Sequence, residues 1–140
     1  MRGLARLDPV VRLKEQREQL SLRALADSAR QLAAAEDHLR RAKDTATADR
    51  RKAGLAPASE WLLTELSHTR ALADVRQAEL AVAAANQVST SSRTHYATAH
   101  SDAEALRKVT AVRVEELERE RAAAERRELD ELAMLRRPAA

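Results

Sequence analysis

One short breaker, Ala53-Gly54-Leu55-Ala56-Pro57-Ala58-Ser59-Glu60-Trp61, separates two long glycine-free runs of helix-forming residues. Gly54 suits the left-handed residue just past a helix end, and Pro57 and Ser59 suit the opening of the next helix. Glu60 stands where a negative charge favours a helix N-terminus. Stop followed at once by start makes the two helices fold back on each other. The remaining punctuation lies near the ends. Gly3 is one point, and Asp8-Pro9 pairs a capping aspartate with a proline suited to the first helical position; Pro138 follows the last leucine. The pattern predicts helix one over about 8–53, a turn over 54–59 and helix two over about 60–136.

The side chains available for a core limit its thickness. Hydrophobic residues make up 44% of the 140, but they are overwhelmingly alanine and leucine, with no Phe, one Trp and one Tyr. With 34% of residues charged, the profile fits long solvated helices packed along a thin seam. In the first half Leu22, Leu25, Ala29, Leu32, Ala35, Leu39, Ala42 and Ala46 recur at three and four residues, and Leu25, Leu32 and Leu39 stand a heptad apart. Leu66, Ala73 and Leu80 repeat that spacing in the second half, followed by Leu106, Val109, Val112 and Leu117 and then by Leu129, Leu132 and Leu135. A narrow heptad seam needs one facing helix, and the chain supplies its own. The expected fold is all-α: a single elongated domain of two long helices in an antiparallel coiled-coil hairpin, the second longer than the first.

Folding at the breaker sets the N-terminal turn opposite about residue 105, so the stretch from about Leu106 to Arg137 is expected to project alone. Glu115 with Arg119, Arg121 with Glu125, Arg126 with Asp130 and Arg127 with Glu131 stand at i,i+4 and could brace it. Its leucines either sit on a solvated helix that stabilises itself or await a partner. The polar stretch Asn86-Gln87-Val88-Ser89-Thr90-Ser91-Ser92 costs roughly 2–3 kcal/mol of helix propensity. Helix two is nevertheless expected to be continuous, because neither Gly nor Pro interrupts it. A kink there, or a third helix restarting near His95 in a three-helix bundle, is the alternative.

Catalytic and cofactor chemistry find little to stand on. Two glycines cannot build a phosphate-cradling loop. His95 and His100 are five residues apart, which points them away from a common helical face, and His38 and His68 stand alone. Acidic residues alternate with arginine as on a salt-bridged surface. The expectation is no enzyme, no cofactor and no metal site. Without cysteine there are no disulfides and no thiolate metal ligands, which is compatible with a reducing compartment. The longest apolar run, around Leu80 to Ala85, is too short to span a bilayer, and no signal-like segment opens the chain. A cytoplasmic location is expected.

Charge raises a competing idea. Residues 1–53 hold thirteen Lys and Arg against eight acidic groups, with Arg40-Arg41-Lys43 and Arg50-Arg51-Lys52 crowding the tip. Against nucleic acid stand a net charge of only +3, the lack of aromatic stacking platforms and the lack of a DNA-reading motif. Trp61, with Leu62, Leu63 and Leu66, either plugs the hairpin end or offers an exposed anchor.

At this point a resemblance enters. Leu7-Asp8-Pro9-Val10-Val11-Arg12-Leu13-Lys14-Glu15-Gln16-Arg17-Glu18, the Leu32-Ala33-Ala34-Ala35-Glu36-Asp37-His38-Leu39 stretch, the Trp61 tip and the tail ending Leu129-Asp130-Glu131-Leu132-Ala133 resemble the FliJ-type proteins of flagellar export and their YscO-type relatives in injectisomes. The aromatic residues that many members carry near the N-terminus are missing. The resemblance implies a two-helix stalk of the type III export apparatus, acting in the cytoplasm or at the inner face of the membrane through that apparatus. It implies contact with the hexameric export ATPase through Val10, Val11 and Leu13 together with the Leu117 to Leu135 tail, Leu129 and Leu132 included. It also implies contact with the cytoplasmic domain of the export gate through Trp61, Leu62, Leu66 and Arg70. A generic coiled-coil adaptor or chaperone is the alternative, and a basic nucleic-acid-associated hairpin the third reading.

Overall fold

The computed structural model describes residues 2–137. Pro138 therefore lies outside the described residues. Two helices account for the fold: α1, Arg2–Leu55, and α2, Trp61–Leu135, packed as a hairpin with the second the longer. Two compact units divide the chain. One takes in the residues up to Glu18 and from Thr98 onward; the other is Gln19–Ala97.

Both helix starts and the α1 stop differ in detail from the sequence signals. Helix α1 begins ahead of Asp8, so Asp8 is not its cap and Pro9 lies inside the helix. A proline so near the start forfeits a single backbone bond, and its fixed φ suits a helix. Half-buried Leu7 and Val11 flank it and hold these turns in place. Gly54 does not take up a left-handed conformation, and α1 runs through it to Leu55. Pro57 sets the stop instead, because the residue before a proline is pushed out of the α region. The turn then closes through the Glu60 amide, which donates to the Pro57 carbonyl at 2.9 Å, and the Glu60 carbonyl accepts the Thr64 amide at 3.1 Å as the first bond of α2.

In the unit Gln19–Ala97 the buried face of α1 steps through Ser21, Leu25, Ser28, Leu32, Ala35, Leu39, Ala42, Ala46, Asp49 and Ala53, alternating four and three residues throughout. This corrects the expected stripe at two points. Leu22 and Ala29 are exposed, because the phase fixed by Leu25, Leu32 and Leu39 turns Ser21 and Ser28 inward instead. The face of α2 is displaced further. Its covered residues are Thr64, His68, Ala71, Val75, Ala78, Val82, Ala85, Ser89 and Ser92, so Leu66, Ala73 and Leu80 point outward. Heptad spacing fixes a common face but not which face meets the partner.

Ser67 Oγ donates to Asp49 Oδ2 at 3.2 Å and ties the register of this unit. Counting back along α1 for each step forward along α2 brings Ala46 within one residue of Ala71, Leu39 of Ala78, Leu32 of Ala85 and Ser28 of Ser89. Leu39 and Leu32 thus stand opposite alanine, Leu25 opposite Ser92 and Ser28 opposite Ser89. Small residues let the two backbones approach, so the seam is thin and its fully covered side chains are small: Ala46, Ala71, Ala78, Ser28 and Ser89. Ser28 satisfies its hydroxyl on the Leu25 carbonyl at 2.8 Å.

The polar stretch of α2 stays helical without a break. Thr90 donates to the Asn86 carbonyl at 3.0 Å and Thr94 to the Thr90 carbonyl at 3.2 Å, absorbing hydroxyls that would otherwise compete with the ladder. Ser89 is the seam residue of that turn, chosen for size.

Candidate functional site

In the unit formed by the two chain ends, the seam turns polar. Half-buried positions on α1 run Leu7, Val11, Lys14 and Glu18, and on α2 half-buried Ala99, Leu106 and Thr110 surround the fully buried Ala103. Lys14 Nζ lies 3.4 Å from Asp102 Oδ2. Glu18 bridges two partners on α2: Oε1 meets His100 Nδ1 at 2.9 Å and Oε2 meets Arg107 Nη2 at 2.8 Å. Arg107 Nε also reaches Glu15 Oε1 at 3.5 Å, and His100 Nε2 stands 3.9 Å from Glu104. The bond from His100 holds the Glu18 carboxyl below its ordinary value of 4.5, Arg107 adds to the effect, and partial burial opposes it. Glu18 in turn raises the pKa of Arg107. Composition and motif reading did not find this cluster. The signal was there in the phase of Lys14 and Glu18, which continue the stripe of Leu25 and Leu32 towards the N-terminus with charges.

Beside the cluster an open groove is lined by Gly3, Leu7, Val109, Val112 and the stems of Lys108 and Arg113. Val11 is half-buried in the seam, while Val10 and Leu13 face water. Leu117 is half-buried. From Glu118 to Leu135 all residues except half-buried Ala123 are exposed, including Leu129, Leu132, Met134 and Leu135. The residues expected at this end therefore do not form one patch. Val10 is level with about residue 107, and Leu129 lies some 33 Å further along α2 at 1.5 Å per residue. Among the described residues the expected braces Glu115–Arg119, Arg121–Glu125, Arg126–Asp130 and Arg127–Glu131 do not close, whereas Arg113 and Glu116 pair at 3.2 Å. An exposed pair gains a few tenths of a kcal/mol, against the entropy of two long side chains.

At the closed end of the other unit, Trp61 is exposed and so does not plug the hairpin. Leu62, Leu66 and Arg70 are exposed too and share one side of α2, within an arc of about 80° at 100° per residue. Ala73 and Leu80 extend that side. Further along, His38, Arg41, Asp74 and Gln77 line an open cleft together with Ala42, Thr45 and Ala71. Among the described residues no group of three metal-ligating side chains forms, and no helix is long and apolar enough to cross a membrane.

A family model described as "Flagellar FliJ protein" matches residues 3–137. The chain belongs to the FliJ family. FliJ proteins are non-enzymatic components associated with flagellar type III protein export. The match runs through the N-terminal segment, the turn and the exposed tail alike, so every surface described above belongs to the FliJ-like region. No curated protein and no solved structure matches the chain.

Proposed function

We propose that this FliJ-family protein is the stalk of the flagellar export apparatus. It binds the export ATPase ring with the end that carries both termini and the export gate with the outer side of α2 near the turn, coupling ATP hydrolysis to substrate export. The observation that carries this reading is the continuation of α2 past half-buried Leu117 as a helix bearing exposed Leu129, Leu132 and Leu135. A single charged helix suits a ring pore, because many weak polar contacts hold it without locking one orientation. Val10, Val11 and Leu13, with the neighbouring groove, supply the second contact at that end. Trp61, Leu62, Leu66 and Arg70, all exposed, supply the gate surface. The site of action is the cytoplasmic face of the export apparatus.

The test is ATP hydrolysis by the export ATPase of the same organism, with and without this protein and with a Leu129→Ala, Leu132→Ala, Leu135→Ala variant. All three side chains are exposed, so the variant keeps the fold. Stimulation by the native protein and its loss in the variant support the stalk and its working end. No stimulation and no co-purification leave a coiled-coil adaptor for a different helical partner.

A further inference from the structure

At the closed end of the unit Gln19–Ala97 the helices stop, but the large apolar side chains do not. Leu55 is 88% exposed, Leu63 71% and Trp61 54%, with Leu62 beside them. Exposed apolar groups collected within nine residues mark a contact with protein or with membrane. The geometry favours a membrane. These side chains belong to the last turn of α1 and the first turn of α2, at the end of the hairpin, and the clefts described above are lined by other residues. A lipid interface accepts such an end with no matched recess.

Charge is arranged to suit it. Arg50, Arg51 and Lys52 are exposed on α1, and at 1.5 Å per residue they lie about 4.5–7.5 Å behind Leu55. That is headgroup depth for an element whose apolar side chains sink about 5–10 Å into the acyl boundary. The nearby acids are less available. Asp49 is half-buried and accepts from Ser67, Glu65 is half-buried, and Glu60, though exposed, is one carboxylate against three cations and sits at the N-terminus of α2, where the helix dipole offsets its charge.

We propose that this apex is a peripheral anchor for an anionic bilayer, with Leu55, Trp61 and Leu63 entering the interface and Arg50, Arg51 and Lys52 meeting lipid phosphates. It would present the hairpin end-on to a membrane without a spanning segment. The proposal goes beyond the stalk reading and does not depend on it, although Trp61 borders both surfaces.

Trp61 is the sole tryptophan, so its emission reports the apex directly. The full chain is mixed with vesicles of phosphatidylcholine alone or with phosphatidylglycerol added. Flotation, emission wavelength and quenching by acyl-brominated lipid are then read. The anchor predicts a blue shift and quenching on anionic vesicles, both weakened by salt and small on neutral ones. Each of Arg50→Gln, Arg51→Gln and Lys52→Gln should cost about fivefold in partitioning. Leu55→Asp with Leu63→Asp should abolish the signal while far-UV circular dichroism stays unchanged. No blue shift on anionic vesicles overturns the proposal, and so does flotation that survives the double aspartate variant. Capture of the gate's cytoplasmic domain through Leu55 and Leu63, with no vesicle binding, would assign the apex to protein instead. Neither ATPase nor gate is present in the vesicle measurement, so its failure leaves the stalk reading standing.

Discussion

Glu18 of α1 and His100 of α2 meet at 2.9 Å, carboxylate against imidazole, with only 13% of the Glu18 side chain open to water. Arg107 closes on the other carboxylate oxygen. A charge occupies a seam position where the Gln19–Ala97 unit uses leucine or a small residue. What holds the two helices together at this level is a pair of directed bonds to one carboxylate.

That carboxyl has a depressed pKa, so it stabilises the fold above its unfolded value near 4.5, and the contribution is lost as pH falls through the lower folded value. Glu18→Gln should therefore lower the thermal midpoint at pH 7 and leave it nearly unchanged at a pH below the folded value. The check is melting by circular dichroism from pH 7 down to pH 3 on both proteins. A gap between them that stayed constant over that range would show that Glu18 acts by packing and not by charge.

Gly54 tests the account of the turn. Its backbone is helical, and a Cβ built on it meets nothing within 4 Å. Gly54→Ala should then stabilise the hairpin by about 0.5–1 kcal/mol, by removing backbone freedom from the unfolded chain. Urea unfolding at constant slope measures it. A loss of stability would place Gly54 in the left-handed conformation in solution.

The turn also shows what could be read from sequence and what could not. One breaker and two periodic runs were enough for two helices in a hairpin with the second longer, because Pro57 acts on local backbone sterics. Its end residue was misplaced by the habit of ending helices at glycine, when the pre-proline restriction acts at Ala56. The phase of α2 was not legible. Leu66, Ala73 and Leu80 form as regular a heptad as Ala71 and Ala78, and only packing against α1 decides which goes inside. Close backbone approach favours alanine, so the larger residues face out and become candidates for binding. The Glu18 cluster was missed because its members are 82 and 89 residues apart, a separation that only the hairpin closes.

The seam predicts a contrast between two alanines on α2. Ala78 is 2% exposed and level with Leu39; Ala73 faces water. Ala78→Leu should destabilise by about 1–3 kcal/mol through overpacking, whereas Ala73→Leu should stay within about 0.5 kcal/mol. Chemical denaturation of the two variants decides it. The opposite ranking would mean that the outward stripe of Leu66, Ala73 and Leu80 is the true seam.

His68 occupies a seam position beside Ser67, level with Asp49, yet its Nδ1 is buried and has no hydrogen-bond partner among the described residues. A buried polar atom left unpaired costs about 1–3 kcal/mol, and replacing it by an apolar group of similar shape recovers part of that. Asp49, across the seam, accepts from Ser67 through Oδ2 and does not meet that nitrogen. His68→Leu should therefore raise the urea midpoint, with a gain of about 1 kcal/mol, and Ser67→Ala should lower it by releasing Asp49. A His68→Leu protein less stable than the parent would show instead that the imidazole is engaged by Asp49 in solution.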